Sequence, residues 1–393
     1  MDSLPCDVRE KLLAAIDKVV ADKPDDILAA LADALKPPPQ GPIDTRSAAA
    51  FNASMMHAGV SAMHLNLIGL GDELGFFRAL LEKPMSSEAL AFATKTDARY
   101  VKEWCLTMAA GTVLEYNHNE GVYQVAPGIE ECVAVEQNPA GLIWGTITPV
   151  VFGVRSQLLD AYRTGDGIDW NDRDYALAKS TCNFFRPLYE GMLIAALPES
   201  VKQVLEEGGT LADIGCGQGL SSCLFAKAFP KAKIHGVDYS QVSIAAAKEM
   251  AQDWGLTNVD FVCENAKDFA AEQTYNVTCF LDCFHDMAVA KAGAKRAFDV
   301  TKPGGYCFLI EPMAAENDNI QEQLALPTTP LFGAFSCHVC LCCSKMNGGD
   351  GLGTLCPTST HREIFLEVGY SSFEAVESPV NAHGFRFLLA FKK

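Results

Sequence analysis

The sequence has few cations for its length and no long basic run. Its 393 residues include 31 Lys and Arg against 49 Asp and Glu, which gives a formal net charge of −18 at pH 7. A strongly acidic surface repels the phosphate backbone of nucleic acids. We therefore expect no nucleic acid partner.

The sequence also lacks an apolar run that is long enough to cross a bilayer. Its longest such run, residues 141–154, is short and rich in glycine, whereas a membrane-spanning helix needs about 20 mostly apolar residues. The first residues, "MDSLPCDVREK", are charged and do not have the apolar core of a secretory signal. We therefore expect no membrane partner and a cytoplasmic location.

Cysteine is plentiful, but paired cysteine motifs are scarce. The 15 cysteines are spread through apolar segments, which favours reduced, buried thiols over a disulfide framework. The densest group contains a single Cys-x-x-Cys pair, whereas finger-type zinc sites need a second pair. We predict no metal, with zinc at this group as the alternative. The group consists of Cys337, Cys340, Cys342, Cys343 and Cys356, with His338 among them.

The pattern of the chain predicts three regions. Residues 1–45 contain two short amphipathic helical patterns and the stiff proline-rich run "KPPPQGP". Residues 46–200 are mostly helical and include two short β runs around residues 112–125. Residues 201–393 alternate strand and helix patterns, which is typical of a parallel sheet with right-handed crossovers.

The middle region has the order helix, turn, helix and two-stranded hairpin, which is typical of a winged helix. The periodicity of its second helix places Tyr100, Trp104 and Met108 on one face. Such a module binds DNA in some proteins and forms a dimerisation and lid domain in others. The cations of the second helix are Arg99 and Lys102, offset by nearby acids, and a helix that binds in a DNA groove needs net positive charge. The lid interpretation is therefore favoured.

Strands in the last region are predicted from runs of β-branched and aromatic residues between turn signals. The final two are close together in sequence, so we expect them to be antiparallel. The predicted strands are residues 210–214, 233–238, 259–263, 276–281, 305–310, 372–377 and 385–391.

A glycine-rich turn follows the first of these strands. The pattern is Asp213-x-Gly215-x-Gly217-x-Gly219, and Asp238 ends the next strand. Glycines allow the backbone to approach a ligand closely, and a carboxylate after the second strand can bind a ribose diol. The third glycine is one position early for a dinucleotide fingerprint. An NAD site and a turn without any ligand remain the alternatives.

This motif resembles the first motif of class I S-adenosylmethionine (SAM)-dependent methyltransferases, and "HGVDYS" resembles their second-strand acidic motif. The resemblance implies a Rossmann-like seven-stranded sheet with a reversed final strand, and SAM as the cofactor. The three glycines would contact the methionine and ribose parts, and Asp213 would orient the loop or reach the ammonium group through water. Asp238 would accept both ribose hydroxyls, with a helix cap as its alternative role, and Tyr239 would pack on the adenine.

The resemblance also assigns residues at the next two strand ends. Asn265 and Ala266 would border the adenine edge, with a plain turn as the alternative. Asp282 and Phe284 would border the methionine end. In relatives, the helix that leads into the catalytic domain closes over SAM. Its candidates for lining the site are Phe184, Tyr189 and Met192, although a core position is the more frequent role of such residues.

The segment "LDCFHDM" carries the candidate catalytic residues. Plant-type small-molecule O-methyltransferases have a His-Asp pair at this place, and the resemblance makes His285 a general base supported by Asp286. A neutral imidazole titrates near working pH and can take a hydroxyl proton. Glu311, in "FLIEP", matches the carboxylate that those relatives place beside the imidazole, with a surface or capping glutamate as the alternative. Met287 stands where the plant family has tryptophan, so a structural or substrate-orienting histidine remains the alternative.

The glycine tract "MNGGDGLGT", followed by a helix pattern and "EVGY", resembles a winged-helix methyltransferase family best known from mycobacteria. Together these features predict a homodimeric SAM-dependent methyltransferase that acts on an oxygen, nitrogen or sulfur atom of a small molecule. The alternative is a non-catalytic regulator that senses SAM through the same domain and binds a partner through the winged helix.

Overall fold

The computed structural model describes residues 43–133, 142–269, 274–377 and 384–393. The predicted helical pair and linker of residues 1–45 therefore lie almost entirely outside the described residues. The chain divides into two compact units, residues 1–61 and 62–393. In the described part of the first unit, Asp44 forms an ion pair with Arg46, and its backbone N–H donates to the Ser54 hydroxyl.

The second unit begins with the predicted winged helix. The first described helix is α1 (Ala48–Glu73). Ser86 and Asp97 cap the third and fourth helices by accepting bonds from the first-turn N–H groups. The elements that follow α1 are α2 (Phe76–Glu82), α3 (Ser87–Thr94), α4 (Ala98–Ala110), β1 (Leu114–Asn117) and β2 (Val122–Val125).

The core of the winged helix is built around Trp104. Its ring packs edge-on against Phe76 and Phe77, and its indole N–H donates to the Leu67 carbonyl oxygen at 2.8 Å. The buried face of α4 combines Trp104 with Val101, Cys105 and Met108. The prediction that Tyr100 shares this face is wrong: its side chain is 81% exposed, because the helical turn places Val101 toward the core instead.

Helices then connect the winged helix to the sheet. Helix α8 (Tyr175–Ala196) is long and packs against α6 (Ile143–Gly153). At this contact, the Ser180 hydroxyl donates a hydrogen bond to Thr146 at 3.0 Å. Among the described residues, no helix is both long and apolar enough to span a membrane. The connecting elements are α5 (Glu130–Val133), α6 (Ile143–Gly153), α7 (Arg155–Thr164), a 3₁₀ turn (Trp170–Asp172), α8 (Tyr175–Ala196) and α9 (Glu199–Glu206).

A seven-stranded sheet forms the centre of the C-terminal region and confirms the predicted fold class. The strand order is β5-β4-β3-β6-β7-β9-β8, with parallel pairing except where β9 pairs antiparallel to both neighbours. The last strand is thus reversed, as predicted. The strands are β3 (Thr210–Ile214), β4 (Lys233–Asp238), β5 (Val259–Cys263), β6 (Tyr275–Leu281), β7 (Thr301–Pro312), β8 (Ser372–Val376) and β9 (Phe385–Phe391).

Helices cover both faces of this sheet. One face packs around Leu211, Phe225 and Phe308, and the other around Ile214, Phe280 and Phe365. Burial on both sides explains why the central strands are almost continuously apolar. The crossover helices are α10 (Leu220–Ala228), α11 (Gln241–Asp253) and α12 (Ala290–Val300).

The long segment between β7 and β8 folds into short helices above the carboxyl edge of the sheet. The stretch Ser336–Cys340 is a π-helical turn, a type of irregularity that is frequent at functional sites. The helices of this segment are α13 (Ile320–Ala325), α14 (Thr329–Phe335), α15 (Leu341–Lys345) and α16 (Thr358–Val368).

Candidate active site

A cavity of about 290 Å³ lies beyond the carboxyl ends of the central strands. Its floor comes from the residues that follow β3, β4, β5 and β6, which is where ligands bind in open α/β sheets. Its other walls come from α8 and from the segment between β7 and β8. The predicted residues that line it are Gly215, Gly217, Asp238, Tyr239, Asn265, Ala266, Asp282, His285 and Asp286.

The glycine turn needs its glycines for two reasons. Gly215, Gly217 and Gly219 all have positive φ, at 76°, 53° and 80°, a region that disfavours side chains. A Cβ on Gly215 would lie 2.7 Å from the Cys283 Sγ, whereas one on Gly217 would project into open space at the cavity. Gly219 does not line the cavity. It allows the start of α10 to pack against Ala247 and Phe261.

Asp213 lies behind the turn and does not line the cavity. Its Oδ2 accepts hydrogen bonds from the hydroxyls of Ser221 and Ser222, both at 2.6 Å, and so ties the first turn of α10 to the end of β3. Complete burial raises the pKa of this carboxyl group, although the serine donors oppose the shift. This position supports the predicted role of Asp213 in orienting the loop.

Asp238 bridges the loops that follow β3 and β4. Its Oδ2 accepts from the Gly217 N–H at 2.9 Å, and its Oδ1 accepts from the Ser240 N–H at 2.8 Å. Burial raises the pKa of Asp238 against these donors. Each carboxylate oxygen keeps a further lone pair for a ligand hydroxyl. The Tyr239 hydroxyl donates to Asp169 at 3.0 Å, which fixes its ring at the cavity.

Asn265 and Ala266 follow β5 and border the same end of the cavity. The Asn265 side-chain oxygen accepts the Lys267 N–H at 3.2 Å, a local turn that holds the side chain. The neighbouring Glu264 also lines the cavity and was not predicted. Glu264 immediately precedes Asn265 in the sequence, so including one more residue of this turn in the prediction would have identified it.

His285 and Glu311 form a buried pair across the ends of β6 and β7. The His285 Nδ1 lies 2.8 Å from the Glu311 Oε2, and the Phe284 N–H donates to Oε1 at 3.1 Å. A carboxylate can only accept, so the hydrogen of the neutral ring lies on Nδ1 and Nε2 keeps its lone pair. His285 is 1% exposed and lines the cavity, whereas Glu311 is fully buried behind it.

Phe284 is predicted to border the cofactor, but its ring does not face the cavity. It is fully buried and packs against Phe280, His361 and Phe365 in the core instead of lining the cavity. The tight 3₁₀ turn Phe284–Asp286 points successive side chains in different directions, which sends the phenyl ring inward and brings His285 to the cavity.

The acid–base groups at the strand ends shift one another's pKa values. Burial lowers the pKa of His285, but the Glu311 carboxylate and the Cys340 thiol together outweigh burial and the pKa lies well above its usual value. Burial opposes ionisation of Glu311, yet the contact with His285 holds its pKa below the usual range. Burial raises the pKa of Asp286 to about 7, and that of Asp282 well above its usual value.

The walls opposite the sheet are apolar and aromatic. Of the three candidates on α8, Phe184 and Tyr189 line the cavity and Met192 belongs to the core. Most of the other wall residues were not predicted, because they lie on separate helices whose relative placement has no local sequence signal. They include Ile147, Trp170, Leu177, Phe185, Phe332, Phe335, Val339 and Cys340.

The cysteine group is divided between the cavity and the packing around it. Cys340 and Cys343 line the cavity, and the Cys342 thiol donates to the Cys337 carbonyl oxygen at 3.5 Å. No set of three or more ligating side chains in the described parts of the chain is arranged to hold a metal ion.

The sequence matches two family models. Residues 205–345 match the model described as a methyltransferase domain, and residues 61–134 match an Rv2258c-like winged HTH domain. These matches fall on the sheet with its cavity and on the winged helix, respectively. They agree with both resemblances found in the sequence.

Curated relatives match a smaller part of the chain. One is a ribosomal RNA small subunit methyltransferase G from Alkaliphilus metalliredigens, 32% identical over 110 residues, which are 26% of this chain and 44% of the relative. Another is a trans-aconitate 2-methyltransferase from Variovorax paradoxus, 35% identical over 82 residues, 21% of this chain and 28% of the relative. The chain spans about half or less of these relatives.

Solved structures share the fold over most of the chain. Mitomycin 7-O-methyltransferase is 16% identical with a TM-score of 0.66, over 89% of this chain and 100% of that chain. Human N-acetylserotonin methyltransferase in complex with SAM is 15% identical with a TM-score of 0.63, over 89% of this chain and 99% of that chain. Together, the family matches and the shared fold show that the chain combines a methyltransferase domain of the class I fold with an N-terminal winged-helix domain.

Proposed function

We propose that this protein transfers the methyl group of SAM to an oxygen, nitrogen or sulfur nucleophile of a small molecule, with His285 as the general base for a protonated acceptor. The observation that carries this proposal is the His285–Glu311 pair, which opens into the same cavity as the glycine turn. We assign residues 46–200 to a dimerisation and lid region and residues 201–393 to the catalytic domain, in a homodimer.

The residues of the cofactor half fit SAM. The open space above Gly217 leaves room for a ligand beside the backbone. Asp238 is already oriented by two backbone donors, and its remaining lone pairs suit a pair of ribose hydroxyls. Tyr239, Asn265 and Ala266 line the same cavity as Asp238, and we place the adenine beside them. When bound, SAM supplies an electrophilic methyl group on a positively charged sulfonium.

His285 provides the place for the proton of a hydroxyl acceptor. Glu311 holds Nδ1, so Nε2 is the ring atom that can accept a proton from a ligand in the cavity. The acceptor oxygen would lose its proton to Nε2 as the new carbon–oxygen bond forms, and the leaving sulfide needs no proton. The Glu311 carboxylate then stabilises the imidazolium. A positioned base of this kind contributes roughly 10²- to 10⁴-fold to the rate.

The cavity wall favours a mostly apolar acceptor. Aromatic and aliphatic side chains dominate it, and no Lys or Arg is among the described residues that line it. An acceptor with a carboxylate or phosphate group would therefore bury its charge without a cationic partner, which is costly. The apolar wall also positions the acceptor near the methyl donor, and such orientation of the two reactants lowers the barrier to transfer. A thioether acceptor would need no base, and His285 would then only position it.

The relatives named for ribosomal RNA match only part of this chain, and two features of this chain argue against an RNA acceptor. The net charge is −18, which opposes binding to phosphates. In the second helix of the winged helix, Arg99 forms an ion pair with Glu103 at 2.6 Å, which offsets its charge. The same features argue against a DNA-binding, SAM-sensing regulator.

Incubation of the full chain with methyl-labelled SAM and a small-molecule extract tests this proposal. We expect label in a small, extractable product and a matching amount of S-adenosylhomocysteine (SAH). The matched control adds excess SAH, which should suppress the transfer. If the protein binds SAH but no small molecule takes up the label, the regulator interpretation replaces this one.

A further inference from the structure

Glu311 lies between two histidines, and the proposed mechanism uses only one of them. Its Oε2 is 2.8 Å from the Nδ1 of His285 and 3.6 Å from the Nε2 of His361. Both Glu311 and His361 are fully buried. Among the described residues, these two histidines are the basic side chains within 4 Å of Glu311.

One hydrogen bond of His361 shows which ring nitrogen carries a hydrogen. Its Nδ1 lies 3.0 Å from the Pro357 carbonyl oxygen, which can only accept, so Nδ1 carries a hydrogen. In a neutral ring, the Nε2 lone pair would then face the Glu311 carboxylate. A protonated ring instead directs an N–H toward that carboxylate. Burial lowers the pKa of His361, but its contacts with Cys356 and Glu311 outweigh burial and the pKa is raised.

We propose that His361 is a positioning residue that holds Glu311 against His285 and withdraws part of the carboxylate's charge from it. This inference deepens the proposed function and depends on it for its catalytic meaning. A carboxylate shared between two imidazoles attracts the proton of each less strongly than an unshared one. The pKa of His285 is therefore lower than it would be beside an unshared Glu311 carboxylate. A lower pKa brings the titration of the base closer to working pH, which favours proton transfer.

Other charged or titratable groups also face this network. Arg386 is the cross-strand partner of Glu311, but its guanidinium donates to the Thr358 hydroxyl at 2.7 Å and to the Cys356 carbonyl oxygen at 2.6 Å. It therefore acts on Glu311 from beyond ion-pair distance. The groups from all packed elements are Asp282, Asp286, Cys340, Cys356 and Arg386, in addition to the three residues of the network.

The test is the titration of His285 by NMR in the full chain, with ring-labelled histidine and saturating SAH. The chain has eight histidines, and the His285→Gln variant assigns the signal. In the His361→Gln variant, which keeps a neutral donor, we expect the midpoint of His285 to rise by about one pH unit, or tenfold in proton affinity. The control His338→Gln changes a histidine outside the network and should leave the midpoint in place.

An unchanged midpoint in a folded His361→Gln variant would overturn the inference, because a neutral or purely structural His361 would not influence His285. SAH binding checks the fold, and His361→Asn serves as the second variant if the first does not bind. Because the titration needs no acceptor, its outcome is independent of methyl transfer. With the acceptor found by labelling, the acidic limb of the rate profile should move to higher pH by the same amount.

Discussion

The two halves of the cavity differ in how the chain builds them. The cofactor half consists of consecutive strand ends of one sheet, held by backbone hydrogen bonds such as that from Gly217 to Asp238. The acceptor half is assembled from α6, α8, α14 and the π-helical turn, whose side chains meet across long sequence separations. The first half is tied to a rigid sheet, whereas the second rests on the packing of separate helices. We therefore expect changes in the two halves to have different effects.

The largest effect that separates the halves is expected from Asp238→Ala. The change removes a charged acceptor from the cofactor half, and hydrogen bonds to charged groups contribute about 1.5–3 kcal/mol each. Calorimetry should show SAH binding weakened by roughly 10- to 100-fold. The control is Asp260→Asn, an exposed carboxylate on β5 outside the cavity. Equal SAH affinity in wild type and Asp238→Ala would remove Asp238 from the cofactor site.

A smaller effect, at the junction of the two halves, is expected from Glu311→Gln. The Glu311 carboxylate raises the pKa of His285, so its neutral replacement lowers that pKa. His285 then loses its proton at lower pH. Because the base must be unprotonated to act, the acidic limb of the rate profile moves to lower pH by about one pH unit. SAH affinity should stay the same. A shift toward alkaline pH would show that another group sets the limb.

The smallest effect is expected from Phe335→Ala in the acceptor half. Phe335 lines the cavity and packs near Trp144, with ring centroids 5.9 Å apart. Removing the ring should raise the KM for the acceptor by roughly tenfold, in line with the loss of one buried aromatic contact. SAH binding should not change. If Phe335→Ala weakens SAH binding and leaves the KM for the acceptor unchanged, Phe335 belongs to the cofactor half and the assignment is wrong.

The difference between the halves also explains what the sequence could predict. Strand patterns carry local signals, and the predicted strand from 210 to 214 matches β3 residue for residue. Asp238 ends β4 and His285 follows β6. Because parallel strands end at the same edge of the sheet, the sequence predicts that both side chains lie at that edge. The role of Asp213 in orienting the loop stays a prediction, and its two serine partners had no recognisable sequence pattern.

The residues that were missed depend on tertiary contacts. His361 is 50 positions after Glu311, on a helix whose apolar period gives no reason to single out one histidine. Cys340 was grouped with its neighbouring thiols, and only the π-helical turn brings it to the cavity. The ring of Phe284 was misplaced because the direction of side chains in a tight turn depends on φ and ψ, which the sequence does not specify.

The most direct test of the central claim, that His285 takes the acceptor's proton, is the single-turnover rate of methyl transfer measured against pH. It uses the full chain, methyl-labelled SAM and the acceptor identified from the extract, in wild type and in His285→Gln. We predict that the wild-type rate falls on the acidic side with a one-proton slope. The variant should be slower by roughly 10²- to 10⁴-fold and lack that limb while SAH binds normally. Equal rates and the same acidic limb in both proteins would contradict the account.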